Sequence, residues 1–322
     1  MEAFGFIFAQ DWVRSLEPLT SVRPVSSLPV LGKYRAIDFA LSNMVRSGIV
    51  RIAVGLDPEA NSLLDHLRIA SQWDLDRKEG GLFILPGKYL GTLDTLFKNI
   101  AFLKRAVEDI IFMVWGDCVH SLDYSDVLRY HKEKAADITY VGPSDNPHLV
   151  VMNKFLLLEI LFAYKDLRDF WRDVVATIKG DLRLEEYPKK TPMYRISEGL
   201  DTFFRLHMDA LDLDTYSKLT ENLIMTKLRD FPPVKFTTTS RIHNSIISDG
   251  CIVGGHVINS VVGRNSVIKA GAYVENCILM QDVTVEEGVR LVNVIADRYT
   301  LIRANREVVS NNLTVIPREH VV

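Results

Sequence analysis

Hydrophobic positions along the 322-residue chain follow two different rhythms, and the change between them falls near Phe231-Pro232-Pro233. Before that point apolar runs of strand length alternate with apolar stripes at helical spacing. Gly5 to Ala9 reads as a short buried strand. Arg35 to Ser47 reads as a helix, because Ala36, Ile37, Ala40, Leu41, Met44 and Val45 fall on one face and Gly48 follows as a C-cap. Val50 to Gly55 is a strand and Ser62 to Gln72 a helix. Thr92 to Ala106 is a further helix, Ile110 to Val114 a strand, Ser125 to Lys134 a helix and Asp137 to Val141 a strand. Strands joined through helices of that length imply crossover connections and a mostly parallel sheet.

After the prolines the helical stripe disappears. From Thr237 to Leu301 apolar residues recur every six positions: Ile246 and Ile252; Val262, Ile268 and Val274; then Leu279, Val285 and Leu291. Gly250, Gly254, Gly263, Ala270, Gly271 and Gly288 punctuate the series. A fixed six-residue period predicts a solenoid, each short strand forming one side of a triangular coil with its apolar residue inward. Roughly eleven hexads suffice for three to four coils. An antiparallel sandwich would instead alternate with period two and carry hairpin signals. The expected organisation is therefore an α/β domain over residues 1–230 followed by a β-helix over 231–322.

Composition narrows the function classes. The chain is 48% hydrophobic and 25% charged, with 38 basic against 41 acidic residues and a net charge of −3. Without a basic excess, neutralising a nucleic-acid backbone is not expected. Cys118, Cys251 and Cys277 form no C-x-x-C pair, so neither a disulfide framework nor a zinc site is implied. The opening MEAFGFIFAQDW lacks the basic start of a signal peptide. The most apolar stretch, Leu149 to Tyr164, is interrupted by Asn153, Lys154 and Glu159, so no membrane span is expected and a reducing cytoplasm is the default location.

In a parallel sheet, ligands bind beyond the carboxyl ends of the strands, which here places the segment Gln10 to Thr20 (QDWVRSLEPLT) at the site. A phosphate cradle requires glycines that let backbone N–H groups approach the oxygens, and cations to compensate charge. No glycine occurs between Gln10 and Leu31, and the segment carries Asp11, Glu17 and the bulky Trp12.

The segments EPLTSVRP, LGKYRAIDFALSNMVRSGI, WDLDRKEGGLFILP, YLGTLDTLFKN and WGDCVHSLDY, with the hexapeptide tail, resemble the glucose-1-phosphate adenylyltransferase family in order along most of the chain. The stretch from Gly32 to Ile49 is the most specific; the likeness is weakest between Gly142 and Thr191. The resemblance implies a nucleotidyltransferase-type α/β domain and a left-handed β-helix, in tetramers that join ATP and glucose 1-phosphate into ADP-glucose. It also makes the departures visible. Laid onto the family's pattern A-G-G-x-G-T-R-L-x-P-L-T, the three glycines fall on Gln10, Asp11 and Val13 and the catalytic arginine on Ser15, while Leu16, Pro18, Leu19 and Thr20 are kept. The family's following lysine falls on Val25, and its proline on Ser26.

The implied metal site is half lost. Trp115-Gly116-Asp117 matches the family's Gly-Asp motif, whose carboxylate holds Mg²⁺, but the second carboxylate position, ahead of the HMDAL helix, is Ile196. The similar string Trp171-Arg172-Asp173-Val174 lies upstream in an acidic-basic helix and reads as a coincidence of composition. The family's Glu-Lys-Pro motif has no counterpart, since the chain runs from Val141 to His148 through GPSDNP. Gly91-Thr92 resembles the family's contact to base and sugar, and a loop followed by a threonine N-cap is an equally satisfactory reading.

Among the remaining residues, Asp74, Asp76, Arg77 and Lys78 read as a solvated charge run near the implied site rim. Lys33 and Arg35 read as ordinary surface residues, with a site for a phosphate-bearing effector such as a sugar bisphosphate as the alternative. His66, His120, His131 and His207 share no ligand spacing, and Trp12 and Trp115 are expected to flank the cleft, with Trp12 as its plug. The pattern is similar to the regulatory, GlgD-type subunit found beside a catalytic subunit in some Gram-positive bacteria. It implies a non-catalytic chain that needs no cofactor and joins a catalytic adenylyltransferase subunit in a hetero-oligomer. The alternative is a weakly active adenylyltransferase, or another sugar-nucleotide transferase, using Asp117, Lys33, ATP and Mg²⁺. An acyltransferase on the solenoid is disfavoured, because only His243 and His256 lie in the repeats.

Overall fold

The computed structural model describes residues 2–188 and 191–322. Ala3–Phe8 is apolar on both faces, with Phe4, Phe6 and Phe8 turned to one helical layer and Ala3 and Ile7 to the other. Burial on both sides is what a central parallel strand requires. Around it a seven-stranded sheet runs in the order Leu184–Glu186, Ile138–Val141, Leu149–Asn153, Ile110–Trp115, Ala3–Phe8, Arg51–Leu56, Gly81–Pro86. Leu149–Asn153 is antiparallel to both its neighbours; the other pairings are parallel. The apolar stretch from Leu149 is thus a strand followed by the helix Lys154–Ala163.

Two expected helices are broken. Asn61–Leu67 stops and resumes as the 3-10 turn Ala70–Trp73, which buries the Trp73 ring and lets its Nε1–H donate to the Met225 carbonyl at 3.2 Å. The run from Thr92 divides at Asn99, whose amide donates to the Thr95 carbonyl and the Tyr89 hydroxyl.

Beyond the extended linker, short parallel strands stack into a left-handed β-helix. One face holds five rungs, from Lys235–Phe236 to Leu301–Ile302, so the solenoid has five coils, not three to four. The extra coils lie where the outward residues are polar: Arg241–His243 at one end and the long strand Glu307–Ile316 at the other. The expected phase holds from Val262 to Leu291, all six apolar positions being buried. It fails in the first set, where Ile252 is 43% exposed and Val253 takes the inward position. Asparagines at the corners (Asn244, Asn259, Asn265, Asn276, Asn293, Asn305) adopt positive φ, a conformation their short polar side chains tolerate. Asn244 donates to Asn259 at 2.9 Å, linking successive corners.

The α/β domain rests on the flank of the solenoid. Leu16, Leu19, Phe203 and Leu206 form one apolar cluster with Ile278, Met280 and Ile295. At its edge the Arg23 guanidinium, 1% exposed, meets the Asp297 carboxylate at 2.6 Å. Gly32, at φ +77°, passes so close that a Cβ would lie 2.3 Å from Ser248 Oγ, so glycine is required there. The linker is pinned by Met225, whose N–H donates to Ser42 Oγ at 2.8 Å.

Candidate functional site: a cleft without a phosphate cradle

The cleft at the carboxyl ends of the central strands has a volume of about 350 Å³. Its wall includes Asp11, Val13, Gly91, Thr92 and Trp115, all anticipated from the sequence. It also includes Asn146, Asp169, Arg172, Arg195, Ser197 and Glu198, which sequence reasoning missed as lining residues. Trp12 does not plug this space: it is 37% exposed and not among the lining residues, because the loop buries Leu16 and Leu19 and turns Trp12 outward.

The loop that would carry the cradle is built from side chains. Gln10 Nε2 donates to Thr95 Oγ1 at 3.1 Å, the Asp11 carbonyl accepts from Val25 N at 3.0 Å, and Arg14–Leu16 closes a 3-10 turn. Ser15 is exposed and outside the cavity wall. Val25 is fully buried beside Leu16, Leu19 and Leu28, so its side chain faces core, where a cation would be stranded. The Asp11 carboxyl is raised to about 6, first by burial and then by the nearby Asp117, with Asp169 adding to the effect.

Asp117 follows Trp115 and Gly116, where the Gly116 N–H donates to the Phe8 carbonyl at 2.8 Å. Its carboxylate is committed to protein partners: Oδ2 accepts from Ser197 N at 3.1 Å and lies 3.6 Å from Arg195 Nε. Ile196 N donates to the Asp117 carbonyl at 3.1 Å, so the position read as the lost second carboxylate is next to Asp117 and holds a fully buried isoleucine. The Arg195 guanidinium lies 4.9 Å over the Trp115 ring and also donates to Asn146 and to the Pro147 carbonyl.

Gly91 and Thr92 are covered by the chain itself. The Arg168 carbonyl accepts from Leu93 N at 2.8 Å, taking an N-terminal donor of the helix Thr92–Lys98. Thr92 is not the N-cap: its hydroxyl donates to Asp169 Oδ2 at 3.0 Å and accepts from Phe170 N at 2.8 Å. The string dismissed as a coincidence is therefore at the cleft. Phe170–Val175 is a π-helix capped by Asp169; Arg172 lines the cavity, while Asp173 is used by the Arg168 and Asp169 N–H groups. A Cβ at Gly91 would lie 2.5 Å from the Arg168 carbonyl oxygen. Gly91→Ala should push this segment off the helix start, costing about 1–3 kcal/mol for the unmade hydrogen bonds and strain. Amide exchange at Leu93 and Phe170 reads the release, and unchanged protection at both would contradict it.

The charge run near Asp74 does not enter the cleft; Asp74, Asp76, Arg77 and Lys78 are exposed, and Arg77 pairs with Asp74. His66, His120, His131 and His207 are buried and bonded to core groups: His66 to Asp38, His120 to Tyr124, His131 to Thr139 and His207 to the Phe203 carbonyl. Burial pushes His120 down to about 3 and His207 to about 4, so both are neutral near pH 7.

A second concavity lies between the domains. Arg35, Lys227, Arg229, Arg298 and Arg318 line a cavity of about 370 Å³, and Lys33 and Arg264 an adjoining one of about 440 Å³. Arg35 is not an ordinary surface residue: Nη1 donates to the Ser62 carbonyl at 2.6 Å and to Ser27 Oγ at 2.9 Å. Burial, with Arg298, Arg23 and Arg229 nearby, lowers it to about 9. The buried Nε atoms of Arg264 and Arg298 make no hydrogen bond within the described residues.

Residues 14–148 match the nucleotidyl transferase family and residues 232–314 the GlmU-like C-terminal hexapeptide family. The glycogen biosynthesis protein GlgD of Geobacillus stearothermophilus is 31% identical over 84% of this chain and 82% of its own length. The glucose-1-phosphate adenylyltransferase of Clostridium novyi is 30% identical over 83% of this chain and 84% of its own. The chain belongs to the glucose-1-phosphate adenylyltransferase and GlgD family. GlgD of Bacillus subtilis is 27% identical over 90% of this chain and 82% of its own. Within this family fold, the cleft of the present chain is lined by Asp11, Asp169 and Glu198 together with Arg172 and Arg195, of which Arg195 is held by Asp117. No helix among the described residues is long and apolar enough to cross a membrane.

Proposed function

We propose that the chain acts in glycogen biosynthesis as a regulatory, non-catalytic subunit beside a catalytic glucose-1-phosphate adenylyltransferase subunit, in a hetero-oligomer. The observation that carries this reading is Asp11 in the cleft: a carboxyl near Asp117 and Asp169 stands where a triphosphate would need backbone donors and cations. The donor set also does not fit Mg²⁺. Asp117 Oδ2 is held by Arg195 and Ser197, and the neighbouring position that would supply a second carboxylate holds Ile196. Phosphoryl transfer depends on positioning and charge neutralisation, so a loop that has no backbone cradle and faces the cleft with Asp11 raises the barrier by several kcal/mol, about 1.4 for each tenfold in rate.

The intact scaffold supports a role exerted through a partner's conformational equilibrium. For a ligand, the arginines clustered between the domains favour a sugar phosphate as effector, since guanidiniums that outnumber the neighbouring carboxylates Asp65 and Asp249 suit a dianion. The test has two arms. Alone with ATP, glucose 1-phosphate and Mg²⁺, the chain should release no diphosphate above background; a physiological rate would overturn the reading. Mixed with the catalytic subunit, it should change the maximal rate and confer a response to a sugar bisphosphate that Arg298→Ala removes. An unchanged rate and response would equally overturn it.

A further inference from the structure

The helix Lys154–Ala163 is apolar on both sides. Leu157, Ile160 and Leu161 are buried against the sheet, yet the opposite face presents Phe155 at 57% and Phe162 at 55% exposure, with half-buried Leu158 between them. Residues 155, 158, 159 and 162 share one face at helical spacing. A helix apolar all round is ordinarily covered on both sides. Phe97, from the adjacent helix, extends the patch by an edge-on contact with Phe162, ring centroids 6.4 Å apart. Lys104 Nζ lies 5.0 Å over the Phe162 ring, and Lys154 Nζ lies 5.1 Å over that of Phe155. In the middle of this face stands Glu159, exposed and without an ion pair among the described residues.

We infer that this face docks a subunit unlike itself, one that presents an apolar patch with a basic side chain at its centre; the inference rests on the hetero-oligomeric reading above. The position of Glu159 decides against self-pairing. Antiparallel packing of two copies, Phe155 on Phe162, puts the twofold axis between Leu158 and Glu159. Both carboxylates then converge at the axis, while Lys104 and Lys154 lie over the outer Phe162 and Phe155 rings, so the desolvated carboxylate pair is strongly unfavourable. A partner Lys or Arg at that point turns the same carboxylate into a charge-assisted contact ringed by aromatic area.

Sedimentation velocity of the purified chain, alone and titrated with the purified catalytic adenylyltransferase subunit of the same organism, separates the outcomes. The double variant Phe155→Asp/Phe162→Asp and the single variant Glu159→Lys should each weaken binding roughly tenfold or more. Neither should change the oligomeric state of the chain alone. Glu159→Lys alters one exposed side chain, so it keeps the test decisive should the double variant fail to fold. Wild-type affinity in Glu159→Lys and in a folded double variant overturns the docking face and leaves the regulatory reading standing. Absence of binding by the wild-type chain overturns both. Self-association of the wild type that the double variant abolishes would assign the face to a second copy and overturn the inference.

Discussion

Replacing Arg23 with methionine should lower the midpoint of thermal unfolding by on the order of 10 °C, because it leaves Asp297 a fully buried charge without its cation. The Arg23 guanidinium also donates to the Leu19 carbonyl at 3.1 Å, and Asp297 Oδ1 accepts from the Arg298 N–H at 2.6 Å, so both partners belong to one network. Removing one member of a buried pair costs about 3–5 kcal/mol, whereas apolar replacement of both is often close to neutral. The double variant Arg23→Met/Asp297→Leu should therefore recover most of the loss. Calorimetry on the three proteins decides it; a single variant within 1–2 °C of wild type would show that the pair carries little.

Asp11→Asn should stabilise the protein at neutral pH. The sign follows from linkage: with the folded carboxyl at about 6 and the unfolded value at 3.8, the folded state holds more protons between those values. Stability thus falls as pH rises through that window, and the penalty is complete above it. Roughly two pH units at about 1.4 kcal/mol each give a gain on the order of 2–3 kcal/mol for the asparagine variant above pH 7. Below pH 4 the two proteins should have the same midpoint. A variant no more stable than wild type at pH 7.5 would mean that burial and the nearby Asp117 do not penalise the Asp11 carboxylate.

Both predictions turn on residues whose significance was unequally visible in the sequence. The strand Ala3–Phe8 and the six-residue period from Val262 to Leu291 were legible, because apolar spacing responds directly to which side is buried. The lack of glycine after Ala9 was legible for a similarly local reason. Arg195 carries no local signal, because its ion pair with Asp117 joins residues far apart in sequence. Arg172 lies in a string that matches a family motif at the wrong place in the chain, while Asp169, ahead of an aromatic-rich turn, carries a capping signal. The basic crevice draws on positions near 33, 228, 264, 298 and 318, so local charge counting reported only a balanced chain. The missed coils at each end of the solenoid have the same cause: an end coil has one covered side, and its period is correspondingly weak.

Stacked coils ordinarily fray from their free ends, each rung held only by the one beneath. Here the last coil, which opens with Leu301–Ile302, follows closely on Asp297, which Arg23 locks to the first domain. Peeling that end back would strand the arginine and open the apolar cluster under Phe203. The two halves should accordingly melt as a single cooperative body, and clipping the chain shortly after Ala296 should damage the amino-terminal half more than the carboxyl-terminal one.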